Sequence, residues 1–260
     1  KFNSLTKNKK ILNYFKKMYN KTFMSSNSHT DEVYRQKRVP KNPIKFQIQL
    51  NEEQKLAKQT ILNNTMTLLA GSAGSGKTLL ACNIALDGLF RKQYDKIIIT
   101  RPTVSKEDIG FLPGDMREKM DPWVQPIYQN FYTLYGKEKM QKYFDDGSIE
   151  IVPVSFMRGR TFLDSLVIVD EAQNVTHEQM NMIVSRLGLR SKMVICGDDH
   201  QIDLRKRSDS GFRFLYAAAK KIKNLEAITL ITNHRDPIVD DLLQYYESAQ
   251  EQGITITTSK

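Results

Sequence analysis

Residues 66–78 read Met-Thr-Leu-Leu-Ala-Gly71-Ser72-Ala73-Gly74-Ser75-Gly76-Lys77-Thr78. An apolar run without alternation enters a stretch of glycines and small residues, which a lysine and a threonine close. The spacing is G-x-x-x-x-G-K-[ST], and helical periodicity starts directly after it, over 77–91. Strand, loop and helix in that order predict a phosphate-binding loop. Glycines let consecutive backbone N–H groups curl around phosphate oxygens, and the start of the helix adds partial positive charge. In this frame Lys77 can reach the β- and γ-phosphates of a nucleotide, and the Thr78 hydroxyl can coordinate Mg²⁺. Gly71, Ser72, Ala73, Gly74, Ser75, Gly76, Lys77, Thr78 and Leu79 form the expected nucleotide-binding set.

Working outward, short apolar runs recur at 65–70, 96–100, 149–152, 165–169, 193–197 and 227–232. Runs of this kind suit strands buried on both faces of a parallel sheet. Helical patterns fall between and after them, at 77–91, 122–134, 178–186, 212–220 and 237–248. This succession predicts an open α/β fold with a mostly parallel sheet flanked by helices. Domain organisation follows: a basic arm over 1–45 and one α/β domain over 46–260.

A phosphate-binding loop needs a partner for its metal. Leu166-Val-Ile-Val-Asp170-Glu171 supplies an apolar strand that ends in two carboxylates. Asp170, with Thr78, is expected to hold Mg²⁺, and Glu171 to orient and deprotonate the attacking water. The second carboxylate favours hydrolysis over simple binding or transfer to a small molecule. A further strand, Val194-Ile-Cys-Gly197, delivers Asp198-Asp199-His200-Gln201 to the same sheet edge, where ligands bind in open α/β folds. Gln201 is placed there to read the γ-phosphate.

Asp170-Glu171-Ala172-Gln173 followed by Gly197-Asp198-x-x-Gln201 resembles the ATPase domain of superfamily 1 helicases. So does Leu50-Asn-Glu-Glu-Gln54, since in those enzymes a glutamine in that context contacts adenine. Closer still is the PhoH-like family. Thr100-Arg-Pro, Gly110-Phe-Leu-Pro-Gly-Asp115, Glu118-Lys-Met-Asp-Pro122, Arg158-Gly-Arg-Thr161, Ser191-Lys-Met-Val194 and Gln201-Ile-Asp-Leu204 with Ser210-Gly211 look like that family's signature, over about 48–248. The resemblance implies a RecA-like ATPase with ATP and Mg²⁺ as cofactors and a link to single-stranded RNA or DNA. Some members carry an added nuclease domain, and no surplus acidic constellation suggests one here. The family often has Arg-His before the next motif's proline, whereas this chain reads His234-Arg235-Asp236-Pro237.

Arg235 follows the last expected strand, where superfamily 1 helicases also carry an arginine. Such a group offsets charge on the transferring phosphoryl and is worth roughly 10³–10⁵ in rate in the GTPase cases. A surface salt-bridge arginine is the plainer alternative. Arg158 and Arg160, in a basic loop before the Asp-Glu strand, are the other candidates, and they can equally touch nucleic acid or a neighbouring subunit. Arg101 and Thr103 follow a strand where helicases touch the nucleic-acid backbone. Between 101 and 148, Trp123, Tyr128, Phe131, Tyr132, Tyr135 and Tyr143 are interleaved with lysines. They suit either a stacking surface for single strands or the core and rim of a helical insert. The chain has room for one RecA-like unit, where superfamily 1 helicases close the site between two. A homo-oligomeric ring, six subunits by resemblance to other RecA-like machines, is therefore expected.

The formal net charge is +10, but twelve of the 39 basic residues and two of the 29 acidic ones lie in 1–45, leaving 27 of each in 46–260. The charge argument for a polyanionic partner thus applies to the arm alone. Leu5, Ile11, Leu12, Phe15, Met18 and Tyr19 suggest a short basic amphipathic helix there. Docking on protein, neutralising phosphates and lying on a membrane surface all suit it. No apolar run approaches the ~20 residues of a spanning helix, and no apolar stretch of a secretory signal follows the first charges. The first residue is Lys1 rather than Met, so residues upstream are expected to be missing or removed. Cys82 and Cys196 match no metal spacing and suit buried reduced thiols in a cytoplasmic protein. The expected function is Mg²⁺-dependent ATP hydrolysis coupled to single-stranded RNA or DNA. The rival is an ATP-switched module that acts on a partner protein.

Overall fold

A computed structural model describes residues 49–102 and 116–251. The expected basic arm, Thr103 and the Gly110–Asp115 signature lie outside the described residues. Six strands, β1 (Met66–Gly71), β2 (Lys96–Thr100), β3 (Ile149–Ile151), β4 (Ser165–Val169), β5 (Lys192–Gly197) and β6 (Leu225–Leu230), form one sheet in the order β3-β2-β4-β5-β1-β6. Every pairing is parallel. The helices are α1 (Glu52–Asn63), α2 (Lys77–Phe90), α3 (Met116–Tyr135), α4 (Lys137–Asp145), α5 (His177–Val184), α6 (Gly211–Ala218) and α7 (Pro237–Glu251). The expected α/β fold with a parallel, helix-flanked sheet is thus the one observed.

The unbroken apolar runs have a simple cause: the inner strands bury both faces. In β4, Leu166 and Ile168 pack with α1–α4 on one side, while Val167 and Val169 pack with α5 and α6 on the other. Burying each such side chain contributes about 1.5–3 kcal/mol. The strand order has a functional consequence. β5 lies between β1 and β4, with Ala70 opposite Gly197 and Val169 opposite Ile195. Three adjacent strand ends, carrying the glycine loop, Gly197-Asp198 and Asp170-Glu171, therefore meet at one edge.

The largest departures from expectation are two boundaries and two additional helices. β6 lies two residues before the expected run, because Leu225 pairs with Met66 and buries, while Ile231 has left the sheet and is 83% exposed. α3 begins well before Pro122 and carries Pro122 and Pro126 inside it. α1 and α4 were not expected. α1 is closed by a reciprocal cap, in which Asn51 Oδ1 accepts the Gln54 N–H at 2.7 Å and Gln54 Oε1 accepts the Asn51 N–H at 3.3 Å. Among the described residues, no helix is long and apolar enough to cross a membrane.

Candidate functional site

The glycine loop leaves β1 and turns into α2 through Gly76, whose φ of 80° is in the left-handed region. Gly76 offers no side-chain cap, so the first amides of a 14-residue helix remain open to an anion. Gly74 is constrained differently. A Cβ there would meet Asn233 Oδ1 at 2.4 Å and the Arg235 side chain at 2.8 Å. The connection between β6 and α7 thus rests directly on the loop, and the His234 N–H donates to the Gly74 carbonyl at 3.2 Å. Ser75 is buried beneath the loop and donates its hydroxyl to the Ser72 carbonyl at 2.8 Å. The Lys77 ammonium donates to the Gly71 and Ser72 carbonyls, each at 2.8 Å.

Thr78, in the first turn of α2, donates its hydroxyl to Asp170 Oδ1 at 2.6 Å. Asp170 is only 5% exposed, and burial pushes its carboxyl above the usual range, with Glu171 adding to the rise and the Thr78 bond and Arg101 opposing it. A buried carboxylate beside a hydroxyl is a poor arrangement without a cation and a good one with it. These two groups therefore fit Mg²⁺, and the open amides and Lys77 fit a polyphosphate. Glu171 takes a left-handed φ of 50°, which carries it off the end of β4. Its carboxylate accepts from Gln173 Nε2 at 2.7 Å and lies 3.8 Å from the Arg101 guanidinium.

These groups surround one cavity of about 580 Å³. Gln54, Ala73, Gly74, Gly76, Lys77, Thr78, Leu79, Asp170, Glu171, Gln201 and Arg235 all line it. Gly71 and Ser72 border a second cavity, of about 540 Å³, on the side of Phe212 and Tyr216. Arg235 comes from the same chain as the loop that it covers. Arg101 shares a separate cleft of about 370 Å³ with Trp123, Glu171 and Gln201. Arg158 and Arg160 do not line the main cavity. Arg158 is exposed, and Arg160 pairs with Glu150 at 2.6 Å and stacks its guanidinium 5.0 Å from the Phe162 ring centre. Of the aromatics in the long connection, Phe131 is fully buried, and Tyr132, Tyr135 and Tyr143 pack against the same core, so most serve a helical insert.

Several residues without an expected role in the reaction also stand here. His234 Nε2 lies 3.3 Å from Gln54 Nε2, at the end of the cavity expected for the base. Its signal was its place before Arg235. Asn130 arrives from α3, which no local pattern could announce. Glu53 accepts the N–H groups of Ile231 and Thr232 and so ties α1 to the segment that carries Arg235. Cys82 and Cys196 are buried and free, and burial pushes both thiols far up. Cys196 also lines the cavity.

In solved structures the chain is similar to the Pif1 helicase from Candida albicans, with a TM-score of 0.42 and 20% identity over 76% of this chain and 44% of that one. It is also similar to Bacteroides Pif1 bound to ssDNA, with a TM-score of 0.38 and 15% identity over 76% of this chain and 46% of that one. Among curated proteins, a PhoH-like protein of Synechocystis is 38% identical over 74% of this chain, which spans 60% of that relative's length. A PhoH-like protein of Bacillus subtilis is 37% identical over 85% of this chain and 75% of its own length. Protein PhoH of Escherichia coli is 41% identical over 62% of this chain and 46% of its own length. The sequence model of the family described as PhoH-like protein matches residues 48–247, and the chain belongs to that family.

Proposed function

We propose that this chain hydrolyses ATP with Mg²⁺ and couples that reaction to single-stranded RNA or DNA. The observation that carries it is the convergence of Lys77, the Thr78–Asp170 pair at 2.6 Å, Glu171, Gln201 and Arg235 on one cavity at the sheet's carboxyl edge. A bound Mg²⁺ would neutralise charge on the phosphates. Thr78 and Asp170 would hold it. Lys77 leaves the Gly71 and Ser72 carbonyls for the phosphates, and the open amides of α2 bind the same oxygens. Glu171 orients a water and takes its proton. Gln201 reads the γ-phosphate from the end of β5. Arg235, resting on Gly74 of its own chain, offsets the charge that builds on the transferred group. Gln54 and His234 receive the base.

Nucleic-acid coupling is supported by the cleft that Arg101 and Trp123 share with Glu171 and Gln201. A cation and an aromatic ring side by side suit a phosphate and a stacked base. They also lie against two residues of the ATP cavity, so occupancy of one site can be felt in the other. The arm over 1–45 adds basic charge next to the domain over 46–260. We propose a homo-oligomeric ring, six subunits by analogy with other RecA-like machines.

The test is the ATPase rate with and without single-stranded RNA or DNA at several salt concentrations, in the whole chain and in one lacking residues 1–45. Stimulation that falls steeply with salt is the expected result. No stimulation at low salt would overturn the coupling in favour of a protein partner.

A further inference from the structure

Gln173 has no task in the reaction outlined above, yet its side chain ties two of that reaction's residues together. It sits in the single turn Ala172–Asn174 after Glu171 and is 1% exposed. Its Nε2 donates to Glu171 Oε2 at 2.7 Å and to the Gln201 carbonyl oxygen at 3.2 Å. Its Oε1 accepts the Asp198 N–H at 3.0 Å. A carboxamide carries two N–H donors and one acceptor oxygen, so all three bonds form at once. The partners belong to the ends of two neighbouring strands. Glu171 follows β4, and Asp198 and Gln201 follow β5. A buried amide is costly to leave unpaired. The backbone of 198–201 therefore fixes the plane of the amide, and the amide fixes one oxygen of Glu171.

We propose that Gln173 is a positioning residue that passes the position of the 198–201 loop to the Glu171 carboxylate. The base then stands at the cavity when the loop bearing Gln201 is in place. This deepens the hydrolysis proposed above and rests on Glu171 being its base.

Two substitutions test it. Gln173→Glu keeps an acceptor for the Asp198 N–H, removes the donor to Glu171 and sets a second carboxylate beside it. The pair Glu171→Gln with Gln173→Glu restores a donor and an acceptor between these positions with the polarity reversed. Steady-state kinetics, affinity for a non-hydrolysable ATP analogue and melting temperatures are measured in the whole chain. The expected result is a kcat for Q173E roughly 10–100-fold below that of the parent, analogue affinity within about twofold, and a lower melting temperature. The reversed pair should melt above Q173E, near the E171Q single variant. An unchanged kcat in Q173E would overturn the proposal. So would a loss of analogue affinity matching the loss of kcat, because that is the mark of a merely structural residue. Parental turnover in E171Q would remove the base itself. The link is then judged by melting alone: recovery in the reversed pair supports it, and no recovery overturns it.

Discussion

At Asp170, burial opposes the charge that the Thr78 hydroxyl and Arg101 favour. Its folded carboxyl titrates above the ordinary 3.8, mainly because burial disfavours the charge. Above that folded value the ionised group weakens the fold, and the penalty fades as pH falls through it. Asp170→Asn keeps an oxygen for the Thr78 hydroxyl and removes the buried charge. Without divalent cation at neutral pH the variant should melt higher than the parent, with the gain shrinking on acidification. With Mg²⁺ and ATP the order should reverse, since the parent alone gains from the cation. A variant that melts lower without cation would show that Asp170 carries no burial penalty. The Asp-Glu motif was legible as a candidate metal and base pair because its two carboxylates are adjacent in sequence. Gln173 and His234 were not, because their contacts join Glu171 to Gln201 and Gln54 to His234 across long stretches of chain.

Among the elements, α1 matters beyond its packing. Glu53 in its first turn accepts the backbone N–H groups of Ile231 and Thr232, just ahead of His234 and Arg235. Desolvation raises its carboxyl, but these hydrogen bonds and the nearby His234 outweigh it, and the net position is below the ordinary 4.5. A carboxyl lowered on folding stabilises above its unfolded value, and that contribution is lost as pH falls through the folded one. Glu53→Gln should therefore melt below the parent at neutral pH, and the gap should close as pH drops below 4.5. A gap independent of pH would exclude this clamp. The N-terminus of α1 is legible in Asn51-x-x-Gln54, a capping spacing that overlaps the glutamine expected to contact the base. β6 was displaced by two residues because its ends are set by pairing with β1 rather than by its own apolar run. The strands that were read well, β2 and β4, are buried on both faces and so carry an unbroken pattern.

In the whole molecule, a parallel sheet brings loops distant in sequence to one edge, and that edge is where the expected nucleotide residues gather. Arg158 and Arg160 lie outside the cavity, whereas Arg235 of the same chain lines it. In the proposed ring a neighbouring subunit would close the open side of the cavity rather than lend an arginine. Light scattering in ATP and Mg²⁺ should show a mass of several subunits, and a monomer alone would remove the ring. The most direct measurement of the central claim is ATP turnover and ATP affinity in Glu171→Gln with Mg²⁺. Affinity should be retained and turnover lowered by roughly 10²–10⁴-fold. Turnover equal to that of the parent would contradict the assignment of this cavity as a hydrolytic site.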